Sequence, residues 1–329
     1  MEKELTVVIP AYNAYETLYH TLASLVMQTK KDNIHCIIVD DYSEKPYDDI
    51  VEKFKELLSI ELIRMNYNQG PAYARNIGLD LVQTPYVMFI DADDNLIHPY
   101  VIEKLLQPLL DDPMGYMIVS NFIEQGEENV ATSIREEDYI WVFGKIYNVK
   151  YLRKHNIRFG KYNQNEDTAF NMECRMAATS KDIIYCLSDL TYEWNYRPNA
   201  ITKKNNAEYG FTTCEIGAIG NITEVLEKYK DNPPDPAFYN ENLIIYLLGA
   251  YHGYNQMCFL QNGYDKELLR VTKIYYQKLI NGNDDLIFNN PYINFYEIYC
   301  RLEGQWFQSP LPCNYRIITF NDFLSLLKK

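Results

Sequence analysis

Over roughly the first 200 residues, short apolar runs alternate with amphipathic stretches of helical spacing. Leu5-Thr6-Val7-Val8-Ile9 reads as a buried strand ended by Pro10. A helix from about Tyr15 to Gln28 follows, with Asn13 as its cap and Leu18, Leu22, Leu25 and Val26 on one face. Cys36-Ile37-Ile38-Val39 is a second buried strand, stopped by Asp40 and Asp41. A helix from Tyr47 to Leu58 and a strand from Ile60 to Met65 repeat the unit. Gly70 and Pro71 then open a helix that ends before Pro85, and Tyr86-Val87-Met88-Phe89-Ile90 forms the central strand. Such alternation predicts an α/β fold: a mostly parallel, doubly wound sheet with right-handed crossovers, flanked by helices.

Met117 to Ser120 reads as a further strand, and Tyr139 to Tyr147 is mostly apolar. Beyond about Ala207 the spacing is helical throughout, as at Ile216, Ile219, Ile222, Val225 and Leu226. A loop at Asn232 to Pro236 interrupts it, and helices are expected over Glu241 to Leu260 and Lys266 to Ile280. The expected organisation is therefore a domain over 1–206 and a helical C-terminal region over 207–329. That region would pack on the first domain and shape its site, or form a homo-oligomer.

Charge narrows the partners. The net charge is -14, which argues against broad binding to nucleic acid or anionic lipid. An anionic substrate would need a local device such as a metal, an arginine or a helix N-terminus. Seven scattered cysteines without a Cys-x-x-Cys pair fit reduced thiols in a cytoplasmic protein and offer no zinc site. The start Met1-Glu2-Lys3-Glu4 has no signal-peptide shape. The run Leu243 to Leu260 is broken by His252, Asn255 and Gln256 and reads as buried helix, not as a membrane span.

The central strand stops at Asp91, Asp93 and Asp94, three carboxylates within four residues. A buried strand cannot hold these charges inside the sheet, so they must emerge at its C-terminal end, where open α/β sheets bind ligands. Clustered carboxylates raise one another's pKa unless a cation intervenes, and an all-oxygen set suits Mg²⁺ or Mn²⁺. Helix capping by the same residues is the simpler alternative. Arg75, about one turn into its helix, has the reach for a phosphate. His98 stands near the carboxylates, for the metal or as a helix cap before Pro99. Neither Gly-x-Gly-x-x-Gly after the first strand nor Gly-x-x-x-x-Gly-Lys-Ser/Thr occurs, so the phosphate binder is not a dinucleotide turn or a P-loop.

Taken in order, Val8-Ile9-Pro10-Ala11-Tyr12-Asn13, Val39-Asp40-Asp41-Tyr42-Ser43, Asn68-Gln69-Gly70 through Gly78 and Ile90-Asp91-Ala92-Asp93-Asp94 resemble family 2 glycosyltransferases of the GT-A fold. The resemblance implies that Pro10, Ala11 and Tyr12 line the nucleotide pocket, with Tyr12 against the base. It implies that Asp41, beside Asp40, reads a base, commonly uracil, whose N3–H a carboxylate can accept. Arg75 would contact the nucleotide or diphosphate. Asp93 would touch the metal, with Asp91 near the ribose or a metal-bound water and Ala92 between them in the donor site. Tyr42 departs from the glycine usual in the family.

The resemblance extends to Asn165-Glu166-Asp167-Thr168, where Asp167 matches the base of an inverting transfer and Glu166 its neighbour. Capping of a helix from Thr168 to Ala178 is the plainer role for Asp167. Lys145 faces substrate or is solvated at a strand edge. In Tyr192 to Thr202, Arg197 would close over the diphosphate, and Trp194 or Tyr196 would stack on a sugar or simply pack. The implied activity is metal-dependent inverting transfer from a nucleotide-sugar donor, with UDP-sugar as the expected class, to a hydroxyl of a glycan or lipid-linked glycan in surface polysaccharide synthesis. The expected location is cytoplasmic, peripheral to the inner membrane face through the acceptor. Rival readings are a non-catalytic nucleotide-sugar-binding or scaffold protein and a sugar-nucleotide pyrophosphorylase. Pro10-Ala11-Tyr12-Asn13 is not the glycine- and arginine-rich loop the latter needs.

Overall fold

A computed structural model describes residues 3–112, 114–126, 131–197, 209–261, 263–306 and 317–329. The expected boundary at 206, the residues Pro198 to Thr202 and Cys313 lie outside them. The chain divides into two compact units. One comprises Met1–Asn163, Phe170–Cys174 and Thr179–Arg197; the other comprises Gln164–Ala169, Arg175–Ala178 and Pro198–Lys329.

The first unit is an α/β fold around one mixed sheet. Its strands are β1 (Leu5–Ala11), β2 (Ile34–Asp40), β3 (Ser59–Arg64), β4 (Tyr86–Phe89), β5 (Asn95–Leu96), β6 (Gly115–Gln125), β7 (Ala131–Arg135), β8 (Lys145–Asn148) and β9 (Ile183–Trp194). They lie in the order β3-β2-β1-β4-β8-β6-β9-β5, with β7 on β6. The pairs β1–β2, β1–β4, β2–β3 and β6–β9 are parallel. Strand β8 runs against both neighbours, so β4 and β6 point the same way. The sheet is thus mostly parallel, with β5, β7 and β8 reversed.

Helices α1 (Tyr15–Val26), α2 (Asp48–Phe54), α3 (Pro71–Leu81), α4 (Val101–Asp111), α5 (Val149–Lys154) and α6 (Glu166–Met176) connect the strands. Leu18, Leu22 and Leu25 of α1 are buried as the spacing predicts. The expected cap is absent: Asn13 has φ +48°, and its Oδ1 accepts the Glu44 N–H instead, joining two loops at the sheet edge. Small residues let α3 lie close on β1. A Cβ at Gly78 would stand 2.3 Å from a Val8 methyl, so no larger residue fits without moving the helix.

The second unit is helical: α7 (Tyr209–Tyr229), α8 (Pro236–Leu260), α9 (Asp265–Tyr275, continued by a π-turn over Tyr276–Ile280), α10 (Asp285–Phe288), α11 (Phe295–Trp306) and α12 (Phe320–Lys328). Asp235 caps α8 through the Ala237 and Phe238 N–H groups, and Pro236 takes the first helical position. No helix among the described residues is long and apolar enough to cross a membrane.

Glu215 of α7 lies over two glycines of α8. A Cβ at Gly253 would come within 3.1 Å of its Cγ and one at Gly249 within 3.7 Å of its Oε2. Burial there pushes the carboxyl from its ordinary 4.5 up to about 7. Below pH 4.5 both folded and unfolded chains hold this proton. As pH rises toward 7 only the unfolded chain releases it freely, so stability falls across that window. The side chain is only partly shielded, so the loss should be about 1–2 kcal/mol. Urea titrations at pH 5 and pH 8 should show this drop in the wild type and a smaller one in Glu215→Gln. An equal drop in both would remove Glu215 as its cause.

Candidate active site

The C-terminal ends of β1, β2 and β4 meet along one edge. The Asp41 N–H donates to the Ala11 carbonyl at 2.8 Å, and the Asn13 N–H donates to Ser43 Oγ at 3.0 Å. Pro10 and Ala11 end β1 beside this junction, and Tyr12 projects from it, 51% exposed, with a ring face open to solvent. Asp40 is fully buried. One oxygen accepts the Ser43 N–H at 2.8 Å, and the other pairs with Arg64.

Asp41 serves a turn. Its two oxygens accept the Gln69 and Gly70 N–H groups, each at 2.7 Å, at the start of α3. Gly70 is required there: its φ is +89°, and a Cβ would collide with the Asn163 side chain. Burial holds the Asp41 carboxyl above its ordinary pKa despite these donors. Each oxygen keeps a second lone pair for a ligand.

Tyr42 explains its own departure from the family pattern. Its φ is +65°, the left-handed region where glycine is the unstrained choice. The ring is 52% exposed and the Arg64 guanidinium lies 5.6 Å from its centroid. This chain therefore holds a left-handed backbone at a non-glycine residue, with a half-exposed aromatic ring beside Arg64.

Past β4, oxygens of Asp91, Asp93 and Asp94 all come within 4.8 Å of one another. An all-carboxylate set of this size fits a hard divalent cation. The three carboxylates have different surroundings. Asp91 pairs with Arg75 at 2.7 Å, and Asp93 pairs with Arg197 at 3.0 Å; both acids remain partly exposed, 27% and 22%. Asp94 is fully buried, accepting the Tyr192 hydroxyl at 2.6 Å and the Asn195 N–H at 2.8 Å. Burial, then neighbouring Asp91, raises the Asp93 pKa. Burial, then Asp93 and Asp91, raises that of Asp94 well above the usual carboxylate range. Asp94 is thus a fastener, while Asp91 and Asp93 present oxygens outward. Ala92 between them is buried.

Three residues named from the sequence have surroundings that it did not give. Arg75 is 4% exposed, held by Asp91 and packed 5.5 Å from the Phe159 ring centroid. Lys145 is neither solvated nor at an open strand edge. It is fully buried and donates to the Trp141 carbonyl at 2.6 Å and the Phe143 carbonyl at 3.2 Å, because a buried ammonium must replace its lost water. His98 is not among the carboxylates; its Nδ1 accepts the Tyr100 N–H in the turn before α4.

Tyr192 and Asn195 escaped sequence reasoning. The Tyr192 hydroxyl accepts the Asp91 N–H at 3.2 Å while donating to Asp94, and Asn195 Nδ2 donates to the Asp93 carbonyl at 2.8 Å. Tyr192 stacks on Phe143 with centroids 4.9 Å apart. Trp194 packs against Trp141 and Phe143 at 5.4 and 5.6 Å, leaving it partly exposed. The run of aromatics in Tyr192-Glu193-Trp194 was the available signal, but its partners are a hundred residues away.

Glu166 and Asp167 belong to the second unit. Helix α6 begins at Glu166, so Asp167 lies within its first turn instead of capping it; one oxygen accepts the Thr168 N–H at 2.8 Å. Asn165, at φ +56°, donates from Nδ2 to the Cys214 carbonyl at 2.8 Å. Burial, followed by Glu215, Asp167 and Glu166, pushes the Cys214 thiol up to about 11. Asp167 and Glu166 therefore share an electronegative neighbourhood within this unit.

Residues 6–187 match Glycosyl transferase family 2. Poly(ribitol-phosphate) beta-N-acetylglucosaminyltransferase TarP of Staphylococcus aureus is 24% identical over 268 residues, covering 76% of this chain and 78% of that protein. Teichoic acid poly(glycerol phosphate) polymerase of Staphylococcus epidermidis is 29% identical over 191 residues. The match covers 52% of this chain but only 26% of that much longer protein. A crystal structure of Staphylococcus aureus TarS in complex with UDP-GlcNAc superposes with TM-score 0.66 at 19% identity, over 93% of each chain, and so shares the fold. With the family matched across more than half its length, the chain belongs to the family 2 glycosyltransferases.

Proposed function

We propose that this glycosyltransferase moves a sugar from a UDP-sugar to a hydroxyl of a surface polymer, with inversion at the anomeric carbon. The observation that carries the donor half is the Asp91–Asp93 pair presented at the end of the central strand. Tyr12 offers its exposed ring to the base, with Pro10, Ala11, Asp40 and Asp41 forming the adjoining strand ends. Asp41 would accept the uracil N3–H on a remaining lone pair. A divalent cation, Mn²⁺ or Mg²⁺, held by Asp93 and Asp91 would neutralise charge on the diphosphate. Arg197, drawn off Asp93 by the donor, would contact the diphosphate. The UDP-sugar class draws support from the TarS complex, and the acceptor class from the names of the polymer-modifying and polymer-building relatives.

In the transfer, Asp167 takes the acceptor hydroxyl's proton while that oxygen bonds to the anomeric carbon. The bond from that carbon to the diphosphate oxygen breaks, and its electron pair leaves with the nucleoside diphosphate. Glu166 assists through its proximity to Asp167 in the first turn of α6. Trp194, over Trp141 and Phe143, offers a partly exposed ring to a sugar, and Lys145 acts indirectly by holding the Trp141–Phe143 backbone.

A thermal-shift panel tests the donor half. The protein is scanned against UDP, GDP, CDP, dTDP and ADP, each with Mn²⁺ and with chelator. At about 100 times Kd a ligand adds roughly 2.7 kcal/mol. The expected result is stabilisation by UDP, strongest with metal. Preference for another base would overturn the UDP assignment, and indifference to every nucleotide would overturn donor binding.

A further inference from the structure

The same sheet carries a second charged feature at the edge where its parallel strands begin. Lys3 precedes β1, Gln83 to Pro85 lead into β4, and α5 follows the reversed strand β8, whose Asn148 pairs with Tyr86. Between them lies a groove of about 820 Å³ lined by Lys3, Lys150, Arg153 and Lys154, with no acid among the described residues that line it. In a chain of net charge -14, four cations converging there make a local reversal. Along β4, Pro85 and Asp91 are separated by roughly 20 Å of extended chain. The groove is therefore distinct from the carboxylate cluster.

Its cations are partly preset. Lys3 donates to the Asp32 carbonyl at 2.8 Å, and Arg153 donates to the Val82 carbonyl. Both partners are neutral carbonyls. Of the acids around the groove, Glu4 bonds Asn33, Asp80 bonds Arg158 while also feeling the Arg153 charge, and Asp182 bonds Thr179 while also feeling the Lys154 charge, so two of the four cations are partly offset. Lys150, Arg153 and Lys154 are exposed.

We propose that this groove binds the phosphate groups of a soluble phosphate polymer. An arginine fork among lysines matches tetrahedral phosphate oxygens, and several cations along a groove match successive phosphates. Other anionic partners fit less well. None of the exposed large hydrophobic residues lines the groove, so nothing there enters a bilayer. None of the lining residues is aromatic, so nothing stacks on nucleic-acid bases. This site goes beyond the transfer reaction and stands independently of it.

The test uses the full chain in metal-free buffer, titrated calorimetrically with inorganic phosphate, tripolyphosphate, long-chain polyphosphate and phosphatidylglycerol vesicles. Wild type should bind long-chain polyphosphate more tightly than tripolyphosphate, and less tightly as salt rises. Reversing two exposed charges in Lys150→Glu/Lys154→Glu should weaken polyphosphate binding at least about tenfold. The stabilisation by UDP with Mn²⁺, if present in the wild type, should be unchanged. If that double variant misfolds, Lys150→Ala should still weaken binding about threefold. Equal binding by wild type and variants, or no polyphosphate binding, overturns the proposal. So does binding to vesicles without binding to the soluble chain. Loss of transfer activity for any other reason leaves these outcomes readable.

Discussion

Asp167→Asn should lower transfer by about 10²–10⁴-fold, the range of a lost general base, while nucleotide stabilisation stays at the wild-type level. The change keeps the side chain's size and its acceptance of the Thr168 N–H while removing its negative charge and its capacity to take a proton. Donor binding is proposed to rest on Asp41, Asp91 and Asp93, whose side chains the change leaves in place. Activity would be followed with radiolabelled donor, and binding by thermal shift with UDP and Mn²⁺. Activity within about tenfold of wild type would remove Asp167 as the base. A wild type that binds donor but transfers nothing to any acceptor would favour a non-catalytic protein. Loss of both activity and binding in the variant would mean that the substitution disturbs the fold.

The parts of this arrangement that were legible in the chain are those written locally. Strands β1, β2 and β4 are mostly apolar runs, and Asp40 and Asp91 mark the ends of β2 and β4; β1, read as stopping at Pro10, instead continues through it to Ala11, paired with β2. Helix α3 is announced by Gly70-Pro71, and its small residues indicate close packing that the Gly78–Val8 approach bears out. Strand order was not legible, because the reversed β8 between β4 and β6 is set by pairing partners tens of residues away. Arg75 and Lys145 illustrate the same limit. Helical spacing exposed Arg75 as a candidate, but only the fold reveals that it holds Asp91. Lys145 was misread for a related reason: a lysine in an apolar stretch suggests an exposed edge unless two carbonyls are known to meet it. Asn13 failed as a cap because its loop partner Glu44 lies thirty-one residues away. Tyr42 is the converse case, since its positive φ is a conformation that glycine adopts without strain and that the residue type alone does not announce.

Asp93→Asn should abolish the metal-dependent part of nucleotide stabilisation and lower transfer by about 10²–10³-fold, comparable to removing one preorganised charge-stabilising group. The argument rests on how the cluster is neutralised. Arg75 is buried against Asp91, whereas Arg197 is a third exposed and meets Asp93 at the open side of the cluster. A cation at Asp93 must compete with Arg197 for the same carboxylate, so the carboxylate's charge decides whether metal or guanidinium is held. With asparagine there, metal affinity falls and Arg197 loses its charged partner. Arg197 is then free to meet the donor's diphosphate, and some metal-independent UDP binding should persist. Asp94 is the weaker substitute, because it is fully buried and each of its oxygens already accepts a hydrogen bond, from Tyr192 or Asn195. Mn²⁺ titration by electron paramagnetic resonance, beside thermal shift with UDP in chelator, separates these contributions. Unchanged Mn²⁺ affinity in Asp93→Asn would exclude it as the ligand and transfer that role to Asp91.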